Sequence, residues 1–114
     1  MKSFDELNLS KKERLILQEI KEAVHRITPD AEVVFFGSRA RREVAPESDW
    51  DILILADNVT YELKDEICGT LYDIELEREI IINPLILDRW EWTSGLFSHH
   101  PIHRNVEREG VLIR

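Results

Sequence analysis

Apolar positions along this chain alternate between helical and extended spacing. Leu15, Leu17, Ile20, Ala23, Val24 and Ile27 recur near the helical period. Ser10-Lys11-Lys12-Glu13 ahead of them has the form of a capping box, with Ser10 bonding an early amide and Glu13 reaching back. Thr28-Pro29-Asp30 ends that helix, whose predicted role is to cover one sheet face. Ala31 to Phe36 is nearly all apolar, β-branched and aromatic, which suits an interior strand. A short helix starts at Ser38 and runs to about Arg42, and Val44 to Ser48, with Pro46, reads as a loop. Asp51 to Ala56 is predicted as a second interior strand, closed by a turn at Asp57-Asn58.

The second half repeats the alternation. Thr60 to about Glu77 is predicted as a helix with Leu63, Ile67, Leu71 and Ile74 on one stripe. Ile80 to Leu87 is the third strand, and Pro84 within it removes a ladder donor, favouring an edge position or a bulge. Trp90-Glu91-Trp92 leads into a Ser-, Gly- and His-rich stretch read as a loop. Pro101 to Glu109 is predicted as a final short helix with Gly110 as its C-cap residue, and Val111 to Ile113 as a brief extended tail. Helix, strand, helix, strand, helix, strand supports an α/β or α+β fold. No repeat, low-complexity tract or linker interrupts it, so residues 1–114 are expected to form a single domain.

Composition narrows the classes. A net charge of −8 argues against nucleic-acid binding by the whole surface. Arg39, Arg41 and Arg42 nonetheless cluster inside that acidic background. The one cysteine, Cys68, excludes an internal disulfide and is expected to be a buried free thiol on the apolar side of its helix. The start of the chain does not read as a signal peptide and no segment as a bilayer span, so the expectation is a cytoplasmic protein.

Chemistry concentrates between Val33 and Leu55. The order is strand, Gly37-Ser38, a basic helical turn, a polar loop, then Asp49-Trp50-Asp51 opening an apolar strand. Backbone amides beside a glycine at a helix start can face phosphate. Side chains alternate along a strand, so Asp49 and Asp51 are expected on one side and Trp50 on the other. Two carboxylates side by side repel without a cation between them, and beside a phosphate cradle they suit magnesium held against a triphosphate.

The spacing resembles the signature of the nucleotidyltransferase superfamily that includes DNA polymerase beta: Gly-Ser, ten residues, Asp-x-Asp. Here the ten residues Arg39 to Ser48 separate Gly37-Ser38 from Asp49-Trp50-Asp51, and Ala40, Arg41 and Ser48 extend the match. The short chain looks like the minimal nucleotidyltransferase branch. The resemblance implies a small mixed sheet with helices packed on one side. It implies Gly37 and Ser38 at the phosphates, Arg41 as a neutralising cation or the partner of a nearby carboxylate, and Asp49 and Asp51 as ligands to one or two Mg2+ ions. It further implies AMP transfer from Mg·ATP to a hydroxyl on another protein, since the chain offers little room for an acceptor domain. Minimal nucleotidyltransferases are often antitoxins of HEPN-domain ribonucleases, which makes a HEPN-type protein the implied partner. A homo-oligomer is a further possibility.

One feature departs from the family. Active members carry a third acid on a later strand, and the most plausible position here is Asn83, which cannot act as a base. Glu79 at the strand entrance and Asp73, Glu75 and Glu77 on the preceding helix are the candidate substitutes. This opens an alternative: a nucleotide-binding module with weak or no turnover that neutralises its partner by contact. An aminoglycoside-modifying kind of enzyme is a third class, and no acceptor pocket for it is visible in the sequence.

Other clusters read more plainly. His99, His100 and His103 lack cysteines or acids at ligand spacing, so a solvated loop is expected rather than zinc. Trp50, Trp90 and Trp92 could stack on a base, with core or partner contacts the more ordinary role. Arg39 and Arg42 are as compatible with solvated surface as with phosphate. Asp65, Glu66, Glu75, Glu77 and Glu79 read as a solvated acidic face, which could also meet a basic partner.

Overall fold

A computed structural model describes residues 1–4, 9–41 and 48–113. Arg42 and the predicted loop around Val44 and Pro46 therefore lie outside the described residues. In chain order the elements are β1 (Lys2–Ser3), α1 (Lys11–Ile27), β2 (Glu32–Phe36), α2 (Gly37–Ala40), β3 (Trp50–Ala56), α3 (Tyr61–Arg78), β4 (Ile82–Asp88), α4 (Arg89–Thr93), a 3-10 turn (Leu96–His99), α5 (Pro101–Glu109) and β5 (Val111–Leu112).

The strands form one mixed sheet in the order β1-β5-β2-β3-β4. β2 runs antiparallel to β3 and β5, β4 runs parallel to β3, and β1 runs parallel to β5. The apolar runs of β2 and β3 occupy interior positions, as their lack of a polar face requires. β4 lies at the edge, and Pro84 is accommodated there, opposite Ile52. The expected extended tail is a sheet strand: Val111 pairs with Phe35 and Leu112 with Val34. Two-residue strands carry too little pattern to be read from sequence, so β1 was not foreseen.

Burial divides the sheet into two faces. Val33, Phe35, Trp50, Ile52 and Ile54 meet α1 through Ile16, Leu17, Ile20 and Val24, and α3 through Ile67, Leu71 and Ile74. Each fully buried side chain of this kind stabilises the fold by about 1.5–3 kcal/mol relative to its exposure. The other face is covered as well. Val34, Leu53, Leu55 and Leu87 pack against Trp92 and Val106, with Phe97 and Ile102 at the margin. This corrects the expectation of helices on one side only. The reason lies in β3: it is apolar at every position from Ile52 to Ala56, and both faces must leave water.

Several boundaries follow from local chemistry. α1 begins at the predicted capping box, with both Ser10 and Glu13 bonds present. Thr60 caps α3 by accepting from the Leu63 amide. The stretch read as a loop after β4 contains α4, started by a second capping box: Asp88 accepts from the Trp90 amide and Glu91 reaches back to the Asp88 amide. His100 caps α5, where Pro101 stands at the first position. Gly110 ends α5 in extended geometry, and a Cβ there would lie 2.6 Å from the Val106 carbonyl. Cys68 is exposed rather than buried, because the buried stripe of α3 runs through Ile67, Leu71 and Ile74 and leaves its neighbour pointing outward.

Candidate functional site

The interior ladder brings the two halves of the signature together. Phe36, the last residue of β2, pairs with Asp51 of β3, and the chain turns at Gly37 with φ +83°. A Cβ at Gly37 would lie 2.1 Å from Asp51 Oδ2. Glycine is thus required twice, by a left-handed backbone and by a carboxylate pressed against the turn. Ser38 follows on α2 and is half-buried. Asp51 shares its sheet side with Leu53 and Leu55, the side covered by α4 and α5. Asp49 stands one residue ahead of β3 and is exposed.

Trp50 anchors the segment that carries both carboxylates. It is buried on the α1–α3 side and stacks on Phe35 with ring centroids 5.6 Å apart. The Arg39 guanidinium lies over its ring at 4.6 Å. Arg39 also donates through Nε and Nη2 to the Ser48 carbonyl, at 3.2 and 3.0 Å. Arg39 is therefore not solvated surface: it bolts α2 to the residue before Asp49 and fixes Trp50 inward, which turns Asp51 to the other side. The Trp50 amide donates to the Ile81 carbonyl at 2.8 Å, tying the same point to the start of β4.

The third-strand position is occupied by Asn83. Parallel pairing sets Asn83 beside Asp51, and its amide nitrogen donates to Asp51 Oδ1 at 3.0 Å. The helix acids do not substitute for it. Glu75 accepts from the Ile82 amide at 2.8 Å, and α3, which also carries Asp73 and Glu77, packs on the opposite sheet side from Asp51. Glu79 is an exposed C-cap residue in left-handed geometry, φ 55°. Among the described residues, no three or more His, Cys, Asp or Glu side chains gather as a metal site. Asp49 and Asp51 offer hard carboxylate oxygens of the kind magnesium takes, and magnesium normally fills its remaining positions with water and substrate phosphates, so the pair fits the ion.

The remaining candidates fall into structural roles or away from the carboxylates. Arg41 pairs with Glu109 of α5 at 3.1 Å. Burial pushes the Glu109 carboxyl up, but Arg108 and Arg41 outweigh it and hold it below its usual range. Trp92 is buried against the second core, its ring tilted against that of His103 with centroids 4.5 Å apart. Trp90 is exposed at the C-terminal end of β4, the end away from Asn83 and Asp51. His100 Nδ1 accepts from the Ile102 amide. His99, His100 and His103 line a cleft of about 560 Å³ with Arg104 and Arg108. The Trp50–Arg39 clamp and the α4 cap were missed in the sequence; only the Asp88-x-x-Glu91 spacing carried a local signal.

The chain is similar to several known proteins. The family model described as nucleotidyltransferase domain matches residues 17–103. A protein of Methanocaldococcus jannaschii, provisionally named a protein adenylyltransferase, is 34% identical over 82 residues, covering 69% of this chain and 83% of that protein. A solved structure described as a cytoplasmic RNA terminal U-transferase is 29% identical with a TM-score of 0.45, over 60% of this chain; this chain spans 22% of that one. No helix among the described residues is long and apolar enough to cross a membrane. With the family model spanning more than half of its length, the chain belongs to the nucleotidyltransferase family of transferase enzymes.

Proposed function

We propose that this nucleotidyltransferase moves AMP from Mg·ATP to a hydroxyl on a partner protein. The observation that carries the reading is the contact of Gly37 with Asp51, which sets the Gly-Ser turn directly against the Asp-x-Asp strand. The name of the archaeal relative supports a protein as acceptor. Gly37 and Ser38 would receive the phosphates and Asp49 and Asp51 would hold the metal, with Arg41 near enough in sequence to add positive charge. Bound magnesium would neutralise triphosphate charge and steady the leaving pyrophosphate. The acceptor oxygen bonds to the α-phosphorus, the bond to the bridging oxygen of the β-phosphate breaks, and pyrophosphate departs. The acceptor proton cannot go to Asn83, which has no basic atom; it passes to a carboxylate of the pair or to water. The setting we infer is a cytoplasmic antitoxin acting on a HEPN-type toxin.

A second reading rests on Asn83. With an amide bonded to Asp51 where an acid would serve as base, the protein would bind nucleotide and neutralise its partner by contact. Purified protein incubated with magnesium, α-phosphate-labelled ATP and the candidate partner separates the two. Label on the partner, lost in the Asp49→Asn, Asp51→Asn double variant, supports transfer. Partner inhibition that survives the double variant, without label, supports contact alone.

A further inference from the structure

The outward side of α3 is unusual for a surface helix. Its inward stripe is apolar, as packing requires, but Tyr61, Tyr72 and Leu76 also face water, at 80, 57 and 63% exposure. Cys68 is exposed on the same side. At 100° per residue, Tyr61, Cys68, Tyr72 and Leu76 fall on one strip of the helix, with the exposed Asp65 among them. Gly69 lies beside that strip, and a Cβ added to it would meet nothing within 4 Å. No internal contact therefore calls for glycine at mid-helix, where it is the poorest residue after proline. On the helix surface its neighbours are Tyr72 and the acids Asp65, Glu66 and Asp73, so a second helix backbone can approach closely there and meets negative charge where it does.

Charge identifies what approaches. Glu62, Glu66, Asp73 and Glu77 form a row along one flank of the strip, at spacings of four, seven and four. The two cations of α3 do not offset it: Arg78 is held by Glu19 of α1 at 2.6 Å, and Lys64 lies on the other flank. A second copy of this chain would set acids against acids in an assembly of already negative chains. We infer that the outer face of α3 is a docking surface for a basic amphipathic helix of a partner protein, with apolar side chains against Tyr61, Tyr72 and Leu76 and lysines or arginines along the acidic row.

α3 and Asp51 are on opposite sides of the sheet. A partner docked on α3 leaves the nucleotide side open and reaches the carboxylates round β4, the edge strand that carries Asn83. The inference extends the proposed function by giving its protein partner a surface, but it does not depend on turnover.

The probe is a synthetic helix of about three heptads with a leucine stripe flanked by lysines; its control has glutamates in their place. Binding is read by fluorescence anisotropy with the full chain. The lysine peptide is expected to bind at least tenfold tighter than the glutamate peptide. Gly69→Gln, which has room to fold normally, should weaken the lysine peptide at least tenfold. The Glu66→Lys, Asp73→Lys variant should reverse the preference. Asp51→Asn should bind the peptide like wild type, so failure of the nucleotide chemistry and failure of the docking surface are separately visible. Equal affinity for both peptides, or indifference to Gly69→Gln, would overturn the inference. So would sedimentation showing self-association that Gly69→Gln abolishes, which would assign the face to a second copy.

Discussion

At the scale of single residues, the site is governed by how closely Gly37 and Asp51 approach. Gly37→Ala introduces a Cβ into Asp51 Oδ2 and strains a left-handed backbone. The expected cost is about 1–3 kcal/mol of stability in urea unfolding, together with at least tenfold weaker Mg·ATP binding by calorimetry. Asn83→Asp supplies the absent acid beside Asp51. General bases contribute about 10²–10⁴-fold, so a labelled-transfer assay should show a rate increase of tenfold or more; an unchanged or lower rate would mean that position 83 takes no part in proton removal. These residues were legible in the sequence because Gly-Ser and Asp-x-Asp carry their spacing with them. Asn83 was legible too, as a missing charge on an otherwise apolar strand. The Arg39 clamp was not, because its meaning depends on Trp50 and Ser48 meeting it across the turn. Cys68 was misread for a related reason: a one-residue step round a helix separates the buried stripe from solvent.

At the scale of elements, caps decide where the C-terminal half changes direction. Asp88 ends β4 and starts α4, accepting from the Trp90 amide and, at 3.4 Å, from the Val59 amide after β3. The Trp90 amide is the main reason the Asp88 carboxyl is held below its usual range. A depressed carboxylate stabilises the fold above its unfolded value of about 3.9, and that contribution is lost as pH falls through the lower folded value. Asp88→Asn retains capping oxygen without the titration. Between pH 7 and pH 3 its Tm should therefore fall less than that of wild type; identical slopes would show that this carboxylate adds nothing to acid sensitivity. The long helices α1 and α3 were legible from periodicity and caps, and Pro84 marked the edge strand correctly. The elements missed were short: α4 has five residues and β1 two, too few for a period to show.

For the whole molecule, the informative departure is the second core. A sheet apolar on both faces needs two covers, and the chain supplies one from α1 and α3 and a smaller one from its C-terminal region. Trp92 is the largest side chain of the smaller cover. Trp92→Ala should cost about 3–5 kcal/mol in urea unfolding, and it removes support beneath the side that carries Asp51. A loss below about 1 kcal/mol would mean that α4 and α5 contribute little to the fold. One sheet side carries Asp51, and the other ends in the apolar and acidic face of α3.

The central claim is that Asp51, set against Gly37, supports metal-dependent transfer of AMP together with Asp49. The most direct measurement incubates the protein with α-phosphate-labelled ATP and its candidate partner, with and without magnesium, beside the Asp51→Asn variant. The account predicts a discrete labelled protein band that requires magnesium and disappears in Asp51→Asn. Label that persists in the variant, or no label from wild type that nonetheless binds Mg·ATP and silences its partner, would contradict it.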